Sequence, residues 1–252
     1  MLLPCTPSMR LDGRRALITG ASRGLGFAAA TALAEAGAEV ILAARGGDQL
    51  SETVDLLASA GHKATSLVLD VTDIAAVRKA FDGLGALDIL VNSAGIARHS
   101  PAADTTPDDF DAVMGVNVRA AYFLAQAAAR SMQDRGGSIL QISSQMGHTG
   151  GIDRAVYCAS KHAVEGMTKA MSMEFGRKNI RVNTICPTFI RTPLTESTFA
   201  DPKMRAWIES KIKLGRVGCV EDIMGAVTFL CSDGAAFITG THLLVDGGWT
   251  AG

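Results

Sequence analysis

The chain has 252 residues, 48 % of them hydrophobic and 19 % charged, and its 24 Lys+Arg against 25 Asp+Glu leave a formal charge of −1. This composition excludes a disordered chain, the even charge balance argues against a nucleic-acid partner, and no apolar run approaches the roughly 18 residues of a membrane span. A chain of this mass buries about 70 % of its surface on folding, so its core needs no disulfide or metal staple. Cys5, Cys158, Cys186, Cys219 and Cys231 are odd in number and widely spaced, which reads as reduced thiols in a cytoplasmic protein. Residues 1–10 lack the charged and apolar regions of a signal peptide. Met9 stands before Arg10-Leu11-Asp12-Gly13 like a second start, so 1–10 is expected to be a loose tail ahead of a single domain over 11–252.

From Arg15 the hydrophobic period switches repeatedly. Arg15 to Thr19 is a short apolar run stopped by Gly20 and predicts a buried strand. Residues 24–36 are Ala- and Leu-rich at helical spacing, with Gly37 placed to end the helix. Strands are then expected at 39–43, 63–69 and 88–92, alternating with helices at 48–60 and 72–84. Thr105-Thr106-Pro107-Asp108-Asp109 combines a capping hydroxyl, a first-turn proline and acids against the helix dipole. It predicts a long helix to about Asp134. Further strands are expected at 137–143, 181–186 and 241–246, with helices at 155–175 and 221–231. Such alternation predicts an α/β fold: a Rossmann-like, doubly wound parallel sheet of about seven strands with helices on both faces. The irregular stretch 188–219 is too long for a passive connection and reads as a substrate loop or lid, with Phe199, Met204 and Trp207 as its apolar contacts.

Thr19-Gly-Ala-Ser-Arg-Gly-Leu-Gly26 lies where the first strand hands over to the first helix. Gly20, Ser22, Arg23, Gly24, Leu25 and Gly26 there form a turn through which backbone can approach a phosphate closely, with the N–H groups of the helix start aimed at it. Glycines also serve plain turns, and the spacing G-x-x-x-G-x-G is not the commoner G-x-G-x-x-G; the strand–turn–helix context favours a nucleotide. The second strand ends Ala43-Ala44-Arg45, without the acid that would bind the ribose of NAD. Arg45 and Arg23 suit a 2′-phosphate instead, so NADP is the expected cofactor and NAD the less favoured one. The bland alternative is two solvated surface arginines.

Tyr157 and Lys161 stand four apart on one helical face. A phenol titrates near pH 10 (roughly, when free), and a neighbouring cation lowers it toward use as an acid–base group. The same spacing also occurs as a weak surface pair. Ser143 and Ser144 end the fifth strand on the edge where open α/β sheets bind ligands, and either serves a plain turn equally well. Asn92-Ser-Ala-Gly95 ends the fourth strand on that edge, and Asn117 is a polar residue inside a mostly apolar helix.

Taken in order, these pieces resemble the short-chain dehydrogenase/reductase family, of the short, single-domain type. The resemblance runs from Leu11 to Gly248 through TGASRGLG at 19–26, LDV at 69–71, NSAG at 92–95, Asn117 in GVNV, ISSQMG at 142–147, YCASK at 157–161, RVNTICP at 181–187 and ITGTHLLVDGG at 238–248. It implies hydride transfer between a nicotinamide and a carbonyl or secondary alcohol of a small molecule, with no metal. Tyr157 would be the general acid/base, Lys161 would lower its pKa and hold the nicotinamide ribose, and Ser144 would donate to the substrate oxygen. Asn117 would hold a water linking Lys161 to solvent. Asp70 and Val71 would contact the adenine, Asn92, Ala94 and Gly95 would line the cofactor cleft, and Pro187, Ile190 and Thr192 would meet the nicotinamide end. Ser93, Thr188 and Val220 depart from the family pattern, and Thr188 puts the substrate geometry in doubt.

Two substrate readings stay open. Arg135 and Lys178 sit where resembling 3-oxoacyl-carrier-protein reductases dock their acidic carrier, although basic residues at helix ends are ordinary dipole partners. The ILAAR strand end and VDGGW tail resemble gluconate 5-dehydrogenases, which favours a sugar acid or polyol. A non-catalytic NADP-binding redox sensor is the alternative from another class, and the intact Asn117, Ser144, Tyr157 and Lys161 set argues against it. The resemblance also implies a homotetramer. The five histidines show no pair at metal-ligand spacing. His148 is left open between facing the substrate and lying elsewhere.

Overall fold

In strand β1 (Arg15–Thr19) Ala16 and Ile18 enter one hydrophobic core and Leu17 enters the other. That alternation is what a strand buried on both faces requires. The computed structural model describes residues 3–132 and 135–252. Its strands are β1, β2 (Glu39–Ala44), β3 (Ala64–Val68), β4 (Ile89–Asn92), β5 (Gly137–Ile142), β6 (Ile180–Pro187) and β7 (His242–Val245). They form one sheet in the order β3-β2-β1-β4-β5-β6-β7, and every pairing is parallel. The doubly wound α/β fold expected from the sequence is the one observed.

The helices are α1 (Gly24–Glu35), α2 (Gly47–Ser59), α3 (Ile74–Leu84), α4 (Pro107–Met114), α5 (Ala121–Met132), α6 (Ala155–Phe175), α7 (Glu196–Phe199), α8 (Pro202–Lys211) and α9 (Glu221–Cys231). Helices α1, α2 and α9 contribute Leu33, Leu50 and Val227 to the core on one face, while α3, α5 and α6 contribute Val77, Leu124 and Met171 to the other. No helix among the described residues is long and apolar enough to cross a membrane.

One prediction needs correction. The long helix expected from 107 onward is capped as foreseen, with the Thr106 side chain accepting from the Asp109 N–H. Its middle, however, is π-helical over Gly115–Ala120. A π segment inserts a residue into the helical ladder and is often found at functional sites; this one carries Asn117. The expected last residues, Gln133 and Asp134, lie outside the described residues. Residues 3–10 are exposed, and the Arg10 guanidinium reaches Asp12 and the Glu35 carbonyl.

Because β1 pairs with β2 on one side and β4 on the other, the connections leaving β1 and β4 diverge. The crevice this opens at the carboxyl ends of the strands is the ligand position of such sheets.

Candidate active site

A cleft of about 420 Å³ runs along that edge. At one end lies the glycine turn. Gly20 adopts φ +65°, and a Cβ on it would come within 3.0 Å of the Ala94 backbone; a Cβ on Gly26 would collide with the Gly20 carbonyl. Helix α1 has no side-chain cap and no acid in its first turn. Its leading N–H groups are therefore unclaimed by side chains and form an anion site. Arg23 and Arg45 are exposed and line the same end, with Gln49 beyond them. Asp70 follows β3, and the Thr72 N–H and hydroxyl at 2.9 and 2.7 Å hold its carboxylate below the usual range, with Arg45 adding to the effect. These features fit a phosphorylated dinucleotide: backbone donors for a pyrophosphate, two free cations for a further phosphate, and Val71 beside the acid as an apolar wall.

At the other end the groups are side chains set below the surface. Helix α6 presents Tyr157 and Lys161 on its cleft-facing side. Lys161 is only 6 % exposed; its ammonium donates to the Ile142 carbonyl at 2.9 Å and lies 5.6 Å from the centre of the Tyr157 ring. Burial pulls the lysine down to about 8. Burial also pushes the tyrosine up to about 12, against a hydrogen bond from Ser144 that draws it down. Burial is the largest influence on the phenol, and the cation that draws it down is Arg154 rather than Lys161.

Ser143 lines the cleft with a buried hydroxyl that has no protein partner, while the Ser144 hydroxyl accepts from the Met146 N–H at 3.1 Å and lies near enough to Tyr157 to draw its phenol down. Asn117 is buried. Its Oδ1 accepts from the Ile96 N–H, and its Nδ2 donates to the Ile96 carbonyl and to Ser160 Oγ, all at 2.9–3.1 Å. Both amide hydrogens are thus in use, clamping the chain that leaves β4.

Of the other residues named from the sequence, Ser22, Gly24, Leu25, Ala94, Gly95 and Thr192 line the cleft. Asn92, Pro187 and Ile190 stand behind its wall; the Asn92 amide bridges Thr19 and Gln141. In the 188–219 stretch, Thr192, Pro193 and Leu194 reach the cleft. Of the expected lid contacts, Phe199 stands edge-on to Phe189 in a small core with Trp249, Ile208 and Ile212, whereas Trp207 is 48 % exposed and stands edge-on to Trp249. His148 does not line the cleft; its ring packs against His242.

Sequence reasoning missed Gln49, Thr72 and Ser160, and also His99 and Arg154. The His99 ring stands edge-on to Tyr157 at 6.0 Å, and the Arg154 guanidinium lies 5.9 Å from the centre of the Phe189 ring. Arg154 precedes Tyr157 by three residues, so spacing from the tyrosine was the available signal. His99 offered none.

The fold and this arrangement are those of a nucleotide-dependent oxidoreductase site, and the relatives of the chain agree. A family model described as Enoyl-(Acyl carrier protein) reductase matches residues 20–250. The chain is 40 % identical over 248 residues to gluconate 5-dehydrogenase of Gluconobacter oxydans, covering 95 % of this chain and 96 % of that protein. It is 36 % identical to L-xylulose reductase of Bos taurus, over 96 % and 99 % of the two chains. The crystal structure of a gluconate 5-dehydrogenase from Burkholderia cenocepacia in complex with NADP and tartrate superposes with a TM-score of 0.94 at 38 % identity, over 97 % and 98 % of the two chains. The chain belongs to the short-chain dehydrogenase/reductase family.

Proposed function

We propose that this protein is an NADP(H)-dependent oxidoreductase that interconverts a carbonyl and a secondary alcohol on a sugar acid or polyol. One observation carries the reading: a single cleft joins an uncapped helix start and two free arginines at one end to the partly buried Tyr157 and the buried Lys161 at the other. The gluconate 5-dehydrogenase with NADP bound supports the choice of cofactor. Bound at this edge, NADPH supplies the hydride and its oxidised form accepts one.

The protein's own residues handle the oxygen and its proton. Ser144 and the Tyr157 hydroxyl hold the substrate oxygen. A phenol near 12 keeps its proton at neutral pH, which makes Tyr157 the donor to a carbonyl oxygen during reduction. Lys161, at about 8, is mostly cationic at pH 7 and stabilises the phenolate left behind. Asn117 positions this end by clamping Ile96, and a relay water there would be held through oxygens because both amide hydrogens are taken.

Arg154 and His99 give the substrate end polar and cationic groups suited to a carboxylate or hydroxyls. The carrier-protein reading is weaker, since Arg135 is spent on the buried carboxylate of Asp88 at 3.1 Å. Residues 11–252 would be one catalytic domain, with 188–219 as its substrate loop. A homotetramer through α5, α6 and β7 would cover Tyr122 and Met173, which are 43 % and 82 % exposed. The five free thiols suit a cytoplasmic location.

The first test is a fluorescence titration with NADPH and, separately, NADH, followed by turnover assays on aldonic acids and polyols with a 3-oxoacyl thioester as the rival. Tighter NADPH binding and turnover of a sugar acid or polyol are expected. Tighter NADH binding would overturn the Arg23/Arg45 assignment, turnover of the thioester alone would overturn the substrate class, and cofactor binding without any turnover would favour a redox sensor.

A further inference from the structure

Apart from the cleft, three residues far separated in sequence converge. His148 follows the turn that carries Ser144, Glu165 lies one helical turn beyond Lys161 on α6, and His242 opens the edge strand β7. One ligand atom from each lies within 4.8 Å of the other two. The two imidazole rings are 4.2 Å apart between centroids, and His148 Nε2 is 3.7 Å from Glu165 Oε2. Cys186 completes the group from β6: its Sγ is 3.4 Å from His148 Nε2 and 3.2 Å from Glu165 Oε1.

None of these side chains lines the cofactor cleft. Glu165 is 5 % exposed, and its hydrogen-bond donors, the Thr184 hydroxyl and the Cys186 thiol, are both neutral. A carboxylate taken out of water in this way is costly, and Lys161, one turn back on α6, feels its charge but directs its ammonium at the Ile142 carbonyl, which leaves that cost only partly offset. In the single chain the exposed His242 leaves the cluster open on one side. Two imidazoles, a carboxylate and a thiol are a zinc-type donor set. Donor atoms around a tetrahedral zinc lie roughly 3.3–3.7 Å apart, given bond lengths of about 2.0–2.3 Å. The 3.4 and 3.7 Å separations here already have that size.

We propose that His148, Glu165 and His242 form a binding site for a divalent transition metal of the zinc class, with the Cys186 sulfur as fourth ligand. Coordination by sulfur releases the thiol proton to solvent. The metal would tie together the turn bearing Ser144, the helix bearing Tyr157 and Lys161, and the edge of the sheet. It would therefore stiffen the catalytic end without entering the chemistry. This assignment is independent of the oxidoreductase reading.

The test uses the full-length chain freed of metal by a chelator, with Zn²⁺ titrated calorimetrically and the melting temperature followed. One Zn²⁺ per chain is expected. At about a hundredfold excess over the Kd the melting temperature should rise by roughly 5–10 °C. His148→Ala and His242→Ala should each weaken binding at least about tenfold and remove most of that rise. His242 is exposed, so His242→Ala should fold, and retained NADPH binding verifies that it has. Co²⁺ in place of Zn²⁺ should give tetrahedral visible bands and a near-ultraviolet sulfur-to-metal band that Cys186→Ser abolishes. Absence of stoichiometric binding, or wild-type affinity in His242→Ala, overturns the site. A Co²⁺ spectrum without the sulfur band overturns the fourth ligand.

Discussion

At the β1–β2 end of the cleft the groups facing the ligand are backbone N–H groups and two exposed arginines. At the β4–β6 end they are side chains held beneath the surface by other side chains. The first end depends on what is missing: a Cβ at Gly20 and Gly26, a cap on α1, an acid after β2. The second depends on what is packed: Lys161 against the Ile142 carbonyl, and Asn117 against Ile96 and Ser160. Binding a large anionic cofactor needs solvated, pre-aimed dipoles. Proton transfer needs perturbed groups, and perturbation requires burial. The two halves should therefore fail differently when mutated, one in affinity and the other in turnover and pH response.

The widest separation is expected from Tyr157→Phe. Removing the phenolic proton should lower kcat by about a thousandfold, within the range of general acid–base catalysis, while the NADPH Kd stays unchanged. A comparable loss of NADPH affinity would erase the distinction between the two ends. Next is the pH dependence of stability. Lys161 sits at about 8 in the folded chain against 10.5 for a free lysine. Between those values the unfolded chain binds more protons than the folded one, so stability rises with pH there and the burial penalty is fully present below pH 8. The effect is on the order of 3 kcal/mol. Tyr157, which keeps its proton up to about 12, works in the opposite sense above pH 10. Cys186 and Cys231, each pushed by burial from 9 to about 12, work against that rise above pH 9. The Lys161 contribution is therefore read as the difference between the melting curves of the wild type and Lys161→Met, which should change between pH 8 and 10; a difference that is flat with pH would assign the effect elsewhere. A smaller effect belongs to the open end. Arg45→Ala should weaken NADPH about tenfold, the size of one charge-assisted contact, and leave NADH untouched. Equal losses for both nucleotides would show that Arg45 does not read the 2′-phosphate.

The same contrast explains what the sequence disclosed. The open end is written in consecutive residues: glycines at fixed offsets between a strand and a helix, and an arginine where the second strand stops. Local rules reach it. The Tyr157–Lys161 pair was legible for the same reason, because four residues on a helix is a local distance. The supports of the buried end are not local. Ser160 looks like any small helical residue until it is seen under Asn117, 43 positions away. The π-helical segment at 115–120 has no signature in hydrophobic period, since α4 and α5 carry the amphipathic pattern on either side. The aromatic partners of Phe199 and Trp207, Phe189 and Trp249, likewise become visible only in three dimensions. His148 and His242 meet for the same reason.

Ser160 gives the smallest effect and the sharpest test of how the buried end is held. Its hydroxyl donates to the Tyr157 carbonyl at 2.7 Å and accepts from Asn117 Nδ2 at 3.1 Å, and the residue is fully buried. Ser160→Ala removes little volume but leaves one Asn117 hydrogen without an acceptor in a dry site, which costs about 1–2 kcal/mol. For a chain of this length that is a fall of roughly 2–8 °C in melting temperature. If Asn117 clamps Ile96 through a network that includes Ser160, kcat should drop several-fold with the NADPH Kd intact. The losses of Ser160→Ala and Asn117→Ala should also be strongly non-additive in a double-mutant cycle, because either change alone already breaks the shared bond. Additive losses would mean that the two residues support the site separately, and the buried end would then be a set of independent contacts rather than one unit.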